Sequence, residues 1–418
     1  MGSTTEYCGM SVRLSWISVA FVGALVCAAA GRANAASAPG FGVPYVPAQD
    51  GEVIQEVPAR TEPAVQRMHV LRAAWSAAPQ DLGAALGLAE AYVDYGREIG
   101  DAHYAGYAEA VIAPWVHHVA PPANALVLQA TILQFRHQFA DARDFLRAAF
   151  KADPRNAQAW ITLATLDMVQ GDYAAAGKDC AQVTSFAGLA LGLACGGSLR
   201  SYIGHAEQSQ ALLHQAAASL GGASAPTRAW LSGLMAETAE RLGDWSAVES
   251  RYRDALLATP QDNFLLVAYA DFLLDRGRPQ EVLTLLKGHE QSDTAFLRIV
   301  LAQAAVHSAD LANSVWIMAA RFDALAQRGS DYFGREQSRF ALQLQHDPAR
   351  ALDLALQNWR VQRAPWDARV LLEAALAARQ PAAAAPALQF LEQTHLQDPV
   401  IEPLAQQLRT EINKGVHL

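Results

Sequence analysis

The stretch Ala157-Gln158-Ala159-Trp160-Ile161-Thr162-Leu163-Ala164, followed by Gln170-Gly171-Asp172-Tyr173, Ala176 and Cys180, decides the fold of this chain. Set 34 residues upstream, it lies over a worn copy of itself: Leu126 falls on Trp160, Ala130 on Ala164, Phe139 on Tyr173, Ala142 on Ala176 and Leu146 on Cys180. Each copy holds two segments with apolar residues at helical spacing, separated by a short turn. Gly171 ends the first helix, Asp172 can cap the second, and Pro154 sits where the preceding helix must stop. Small residues such as Ala164 and Ala176 let the two helices cross closely, while Trp160, Leu163 and Tyr173 fill the space beside them. One such pair cannot bury its apolar face alone, so pairs must stack.

Outward from this stretch the pattern continues as Gly243-Asp244-Trp245, Tyr252, Ala255 and Pro260, then Tyr269-Ala270 and Arg276-Gly277, the two turns again 34 residues apart. The clearest copies span 123–156, 157–190, 229–262 and 263–296. A 34-residue period with W-x2-L-small, a Gly-Asp-Tyr turn and a closing proline resembles the tetratricopeptide repeat. The resemblance implies an all-α fold: a right-handed α-solenoid of stacked helix-turn-helix hairpins, expected over 61–418 and ended by a polar capping helix around Leu404 to Ile412. Gly188, Gly192 and Gly196 place a glycine stripe on one helix, which predicts close helix packing there, since each glycine costs about 1 kcal/mol of helix propensity. Beyond Gly288 the frame weakens, although paired helices are still predicted.

At the amino terminus, Arg13, an apolar run from Leu14 to Ala30 and then Ala33-Asn34-Ala35 predict a signal peptide over 1–35, cleaved after Ala35, with the start at Met1 or Met10. The mature protein is then periplasmic or secreted. Residues 36–60, rich in proline and glycine and without a helical period, read as an extended arm or linker. Cleavage leaves Cys180 and Cys195, an even pair in an oxidising compartment. They are read as a disulfide between adjacent helices, worth about 3 kcal/mol for a loop of this size; two buried thiols are the alternative.

With 52% hydrophobic and 17% charged residues the chain can build a large core, and 32 basic against 41 acidic residues leave a net charge of −9 without a basic cluster. That charge pattern argues against nucleic acid as a partner. No nucleophile elbow, zinc-helix, phosphate-loop or Cys-His ligand motif occurs, so no catalytic residue, metal or cofactor is expected. His117-His118 point about 100° apart on a helix and chelate poorly. Trp160 and Trp245 occupy packing positions of the repeat and are expected in the core.

In proteins of the repeat family that this chain resembles, partners lie on the concave face lined by the first helix of each hairpin. Carried onto this chain, that face comprises Val127, Thr131 and Gln134, then Gln158, Ile161, Thr165 and Met168, then Glu237, Glu240 and Arg241, then Asp271, Leu274 and Asp275. It runs from neutral to acidic and lacks the basic set that clamps a peptide carboxylate, so an extended segment of apolar or basic character is expected. The implied function is that of a scaffold holding a partner polypeptide, with assembly of an envelope or membrane complex as the expected setting. A self-associating structural element of the envelope is the alternative; the helical portion of a cell-wall or sugar-transfer enzyme is a more distant one.

Overall fold

The computed structural model describes residues 62–327 and 334–416, together with Gln49. The expected signal peptide at 1–35 lies outside the described residues, as does the 36–60 arm apart from Gln49. Among the described residues there are helices and no strand. After α1 (Pro63–Ala77), neighbouring helices pack in pairs: α2 (Leu82–Ile99) with α3 (His103–Val116), α4 (Ala123–Phe135) with α5 (Phe139–Ala152), and α6 (Ala157–Gln170) with α7 (Tyr173–Ala187). Next come α8 (Leu189–Tyr202) with α9 (Ala206–Ser219), α10 (Ala225–Leu242) with α11 (Trp245–Ala258), and α12 (Asn263–Asp275) with α13 (Pro279–Leu285). The series continues with α14 (Asp293–Ala305) and α15 (Leu311–Gln327), α16 (Gly334–Gln343) and α17 (Pro348–Val361), and α18 (Pro365–Ala377) and α19 (Ala385–Thr394), and ends at α20 (Ile401–Val416). Successive pairs also touch one another, which makes the molecule an α-solenoid of stacked hairpins.

The repeat positions fill the core as the spacing requires. Ala130, Ala142, Leu146, Ala164 and Ala176 are almost fully buried. Trp160 is only half-buried: its ring lies 4.2 Å from that of Phe150, and its Nε1 donates to the Pro154 carbonyl at 3.0 Å. Trp245 is likewise half-buried rather than a core residue. Of the glycine stripe, Gly192 alone is tightly packed, since a Cβ there would lie 2.8 Å from the Thr184 Cα; nothing approaches Gly188, and Gly196 has ordinary clearance.

Each hairpin turn carries one residue in the left-handed region, where a side chain meets its own backbone and glycine does not. That slot holds Gly100 in the α2–α3 turn and Gly171, Gly204, Gly243 and Gly277 in the middle of the chain, but His137, His307, His346 and Arg379 in the other turns. Asn156, Asp172, Asp244 and Asp262 then cap the helices that follow them, each accepting from a backbone N–H three residues on.

The stack coils tightly enough for its later hairpins to lie on its earlier ones. α2 packs against α12, and a Cβ on Gly100 would fall 2.9 Å from Asn263 Nδ2. Farther on, the Arg363 N–H donates to the Val169 carbonyl at 2.8 Å, Gln362 bonds the His137 ring at 2.6 Å, and the Ala206 N–H donates to Gln397 at 3.3 Å. The first round thus offers the turn ends of α4, α6 and α8, and the second round sets its inter-hairpin loops on them. No described helix is long and apolar enough to cross a membrane.

Candidate partner-binding surface

The face expected to hold a partner divides into two parts. Along α4 and α6, Gln158 is exposed and Thr131, Gln134, Ile161 and Thr165 are half-buried, whereas Val127 and Met168 are buried. The hydroxyls of Thr131 and Thr165 donate to their own helix, to the carbonyls of Val127 and Ile161 at 3.0 and 2.9 Å. With those hydrogen bonds made internally, what these threonines offer outward is largely methyl surface.

The acidic part is different, because the chain's own arginines occupy it. Asp271 is 5% exposed and accepts from Arg298 at 2.7 and 3.0 Å and from Arg339 at 2.9 Å. Arg298 continues to Glu336 at 2.7 Å, and Asn358 donates to Asp367 at 2.8 Å. Arg335 lies 3.2 Å from Glu336 and 3.8 Å from Asp367. Residues from α12, α14, α16 and α18 therefore form one ladder of alternating charge, buried except at the half-buried Arg335. Burial alone would raise the Asp271 carboxyl, but Arg298 and Arg339 hold it well below the usual carboxylate range. Asp275 is held bidentate by Arg369 at 2.6 and 2.7 Å. The acids that made this end of the face look receptive to a basic segment are neutralised from within.

Glu237, Glu240 and Arg241 on α10 form a second cluster, in which Arg241 is buried and the two glutamates are half-buried. Arg241 Nη1 lies 4.0 Å from Asp398 and also donates to the Glu237 carbonyl, and Tyr252 donates to Glu240 at 3.1 Å. Burial, only partly offset by Arg241, pushes the Glu240 carboxyl up to about 8. A third group joins Arg143, which contacts Asp167 and donates to Gln170, with Asp179 on α7. Burial and then the neighbouring Asp167 carboxyl push Asp179 up to about 7. Beside it, Cys180 and Cys195 are joined as a disulfide that ties α7 to α8 across a Cα separation of 5.5 Å.

Sequence reasoning missed the arginine partners of the acids. Arg298, Arg335, Arg339 and Arg369 lie in the region where the repeat frame fades, and an arginine on an amphipathic helix reads as solvent-facing. It also missed the cleft between the ends of α10 and α12 and the starts of α18 and α20, lined by Trp245, Phe272, Arg276, Trp366 and Arg369.

Residues 136–184 match the family model for the tetratricopeptide repeat. No curated protein matches the sequence. Among solved structures, the chain is similar to the APC/C hetero-tetramer Cut9–Hcn1, at 12% identity and a TM-score of 0.41 over 82% of this chain and 52% of that one. It is similar to yeast Tom70 at 14% identity and a TM-score of 0.36, over 82% of this chain and 62% of the other. A tetratricopeptide repeat protein from Parabacteroides merdae is similar at 13% identity and a TM-score of 0.34, over 69% of this chain and 98% of that one. The chain thus spans about half the length of the Cut9–Hcn1 chain. The tetratricopeptide repeat match thus covers the hairpins around 136–184, and stacked helical hairpins continue on either side of it.

Proposed function

We propose that this protein is a non-enzymatic scaffold that holds a partner polypeptide, exported by its amino-terminal signal and serving the assembly of an envelope or membrane complex. The observation that carries the binding role is the neutral part of the concave face. Gln158, Ile161 and Thr165 remain accessible on α6 while the acidic part is sealed by arginines. An extended, apolar partner segment fits there, since it meets methyl and amide surface and no unpaired charge. The export reading rests on the sequence of residues 1–35, and the envelope role rests on that export.

A photo-crosslinking residue at Ile161 in cells tests the reading. Capture of one envelope protein from Ile161, and none from the sealed Asp271, supports it. Fractionation of the full-length protein to the cytoplasm, or the absence of any partner at Ile161, refutes it. A second reading, self-association, is favoured by three exposed apolar side chains near the junctions flanking α10 to α12: Trp230, Leu257 and Phe264. Trp230 and Phe264 lie 34 residues apart, at the same position in successive repeats. Sedimentation at micromolar concentration decides it, because a monomer excludes a stable copy-to-copy contact.

A further inference from the structure

The second round of the stack closes over Glu240. This residue stands near the end of α10, in a cleft whose far wall is made by Trp366 and Arg369 of α18 and by Asp398 and Ile401 at the start of α20. The cleft holds only about 30 Å³, room for one or two water molecules. Glu240 is half-buried because later hairpins cover it, and it meets bulk water if they move off.

Its surroundings do not favour a carboxylate. Glu237 and Arg241 come from α10 itself, and the Tyr252 hydroxyl on α11 donates to Glu240 at 3.1 Å. Tyr202 on α8 is turned to Glu237 at 3.5 Å, and across the cleft Asp398 lies 4.0 Å from Arg241. The remaining charges are engaged elsewhere: Asp275 is held by Arg369, and the exposed Arg276 lies over the Trp245 ring at 4.2 Å. One guanidinium thus serves three carboxyls, and ionising all of them leaves two negative charges uncompensated at the junction between rounds. Burial, offset in part by Arg241 and reinforced by Glu237 and Asp398, pushes Glu240 from its ordinary 4.5 to about 8.

We propose that Glu240 is a proton-operated latch between the two rounds: protonated, it lets α18 and α20 close over α10, and ionised, it favours their moving off. In the open form its carboxyl is hydrated and titrates in the ordinary range. The closed form therefore has its full advantage below 4.5 and loses it as pH rises to about 8, with no further change above that. The latch acts whatever the scaffold holds, so its test needs no partner.

Two amides report on it directly. The Ala206 N–H, in the first turn of α9 where no carbonyl of its own helix is in reach, donates to Gln397 at 3.3 Å, and the Arg363 N–H donates to the Val169 carbonyl at 2.8 Å; both bonds run between the rounds. In hydrogen exchange of the full chain, corrected for the intrinsic pH dependence of exchange, their protection should fall at least about tenfold between pH 5.5 and pH 7.5. In Glu240→Gln, neutral at every pH, it should stay within about twofold. Glu240→Ala is neutral as well and should behave the same way, and it stands in if the glutamine variant does not keep the parent's circular dichroism melt. Flat protection in the parent overturns the proposal, as does a fall that survives in either folded variant.

Discussion

The hairpins from α4 to α7 and those from α12 to α18 share one architecture but are held by different forces. The first set packs alanines, leucines and aromatics at repeat positions, with Ala142, Leu146 and Ala176 fully buried. The second set has an apolar core as well, but along its inner face it threads Asp271, Arg298, Glu336, Arg335 and Asp367 into a ladder buried except at Arg335. An apolar contact tolerates small slips, whereas a bidentate arginine–carboxylate pair does not. The ladder therefore fixes the register of helices whose repeat sequence has decayed. A buried pair contributes little net stability over an apolar one, yet breaking it is expensive. Asp271→Ala leaves Arg298 and Arg339 to share Glu336, and the expected cost is about 3–5 kcal/mol, read from chemical denaturation. A loss below about 1 kcal/mol would mean that the ladder is no more than an ordinary surface network.

Gly204 and Gly277 sharpen the comparison along another axis. Both adopt the left-handed conformation at hairpin turns. A Cβ on Gly204 would lie 2.9 Å from the His395 carbonyl carbon, where the second round rests on the first; nothing approaches Gly277. Gly277→Ala should cost about 1 kcal/mol, the backbone penalty alone. Gly204→Ala adds an overpacking cost of about 1–3 kcal/mol and should loosen the second round, seen as faster amide exchange over α19 and α20. Equal losses at the two sites would place the rounds farther apart than the structure does.

Two buried carboxyls, Asp271 in the second set and Asp179 in the first, shift in opposite directions. Asp271 is depressed by its arginines, so its contribution is complete above the ordinary carboxylate range and lost as pH falls through its folded value. Asp179 is raised from 3.8 to about 7, so its contribution is complete below 3.8 and lost as pH rises through about 7. Asp179→Asn should remove the second dependence. At pH 8 it is expected to gain on the order of 1 kcal/mol over the parent, one pKa unit being worth about 1.4 kcal/mol, and the gain should vanish at pH 4. A parent melting temperature that is flat between pH 5 and pH 8 would contradict this.

What the sequence reveals follows the same division. The hairpin stack is readable because Trp160, Ala164, Gly171 and Asp172 each do a job that few residue types perform at that spacing. Of the face expected to hold a partner, Ile161 and Thr165 on α6 are half-buried, as the repeat geometry implies. At Asp271 and Asp275 the neutralising arginines stand 27 to 94 residues away in sequence, and no local pattern announces them. Trp245 is expected in the core because the repeat uses that position for packing. It is instead half-buried, with Arg276 over its ring, and lines a cleft together with Trp366 and Arg369.

The fading of the frame beyond Gly288 has a more local cause, and it yields the smallest expected effect. Gly171, Gly243 and Gly277 mark their turns in the sequence because glycine alone is at ease in the left-handed slot. His307 and His346 fill the corresponding slot later in the chain, and a histidine in a polar loop carries no such signal. The cost of a left-handed non-glycine residue is about 1–2 kcal/mol, against about 0.4–1 kcal/mol of extra unfolded-chain entropy that glycine would add. His307→Gly should therefore stabilise the protein by about 0.5 kcal/mol, because the exposed His307 ring makes no hydrogen bond within the described residues that the substitution would remove. His137→Gly relieves the same strain but also removes the bond to Gln362 that joins the two rounds, so its net effect should be a loss. Measured together by urea denaturation, a gain at 307 and a loss at 137 separate backbone strain from contact between rounds; the same sign at both sites would show that one of the two terms has been misjudged.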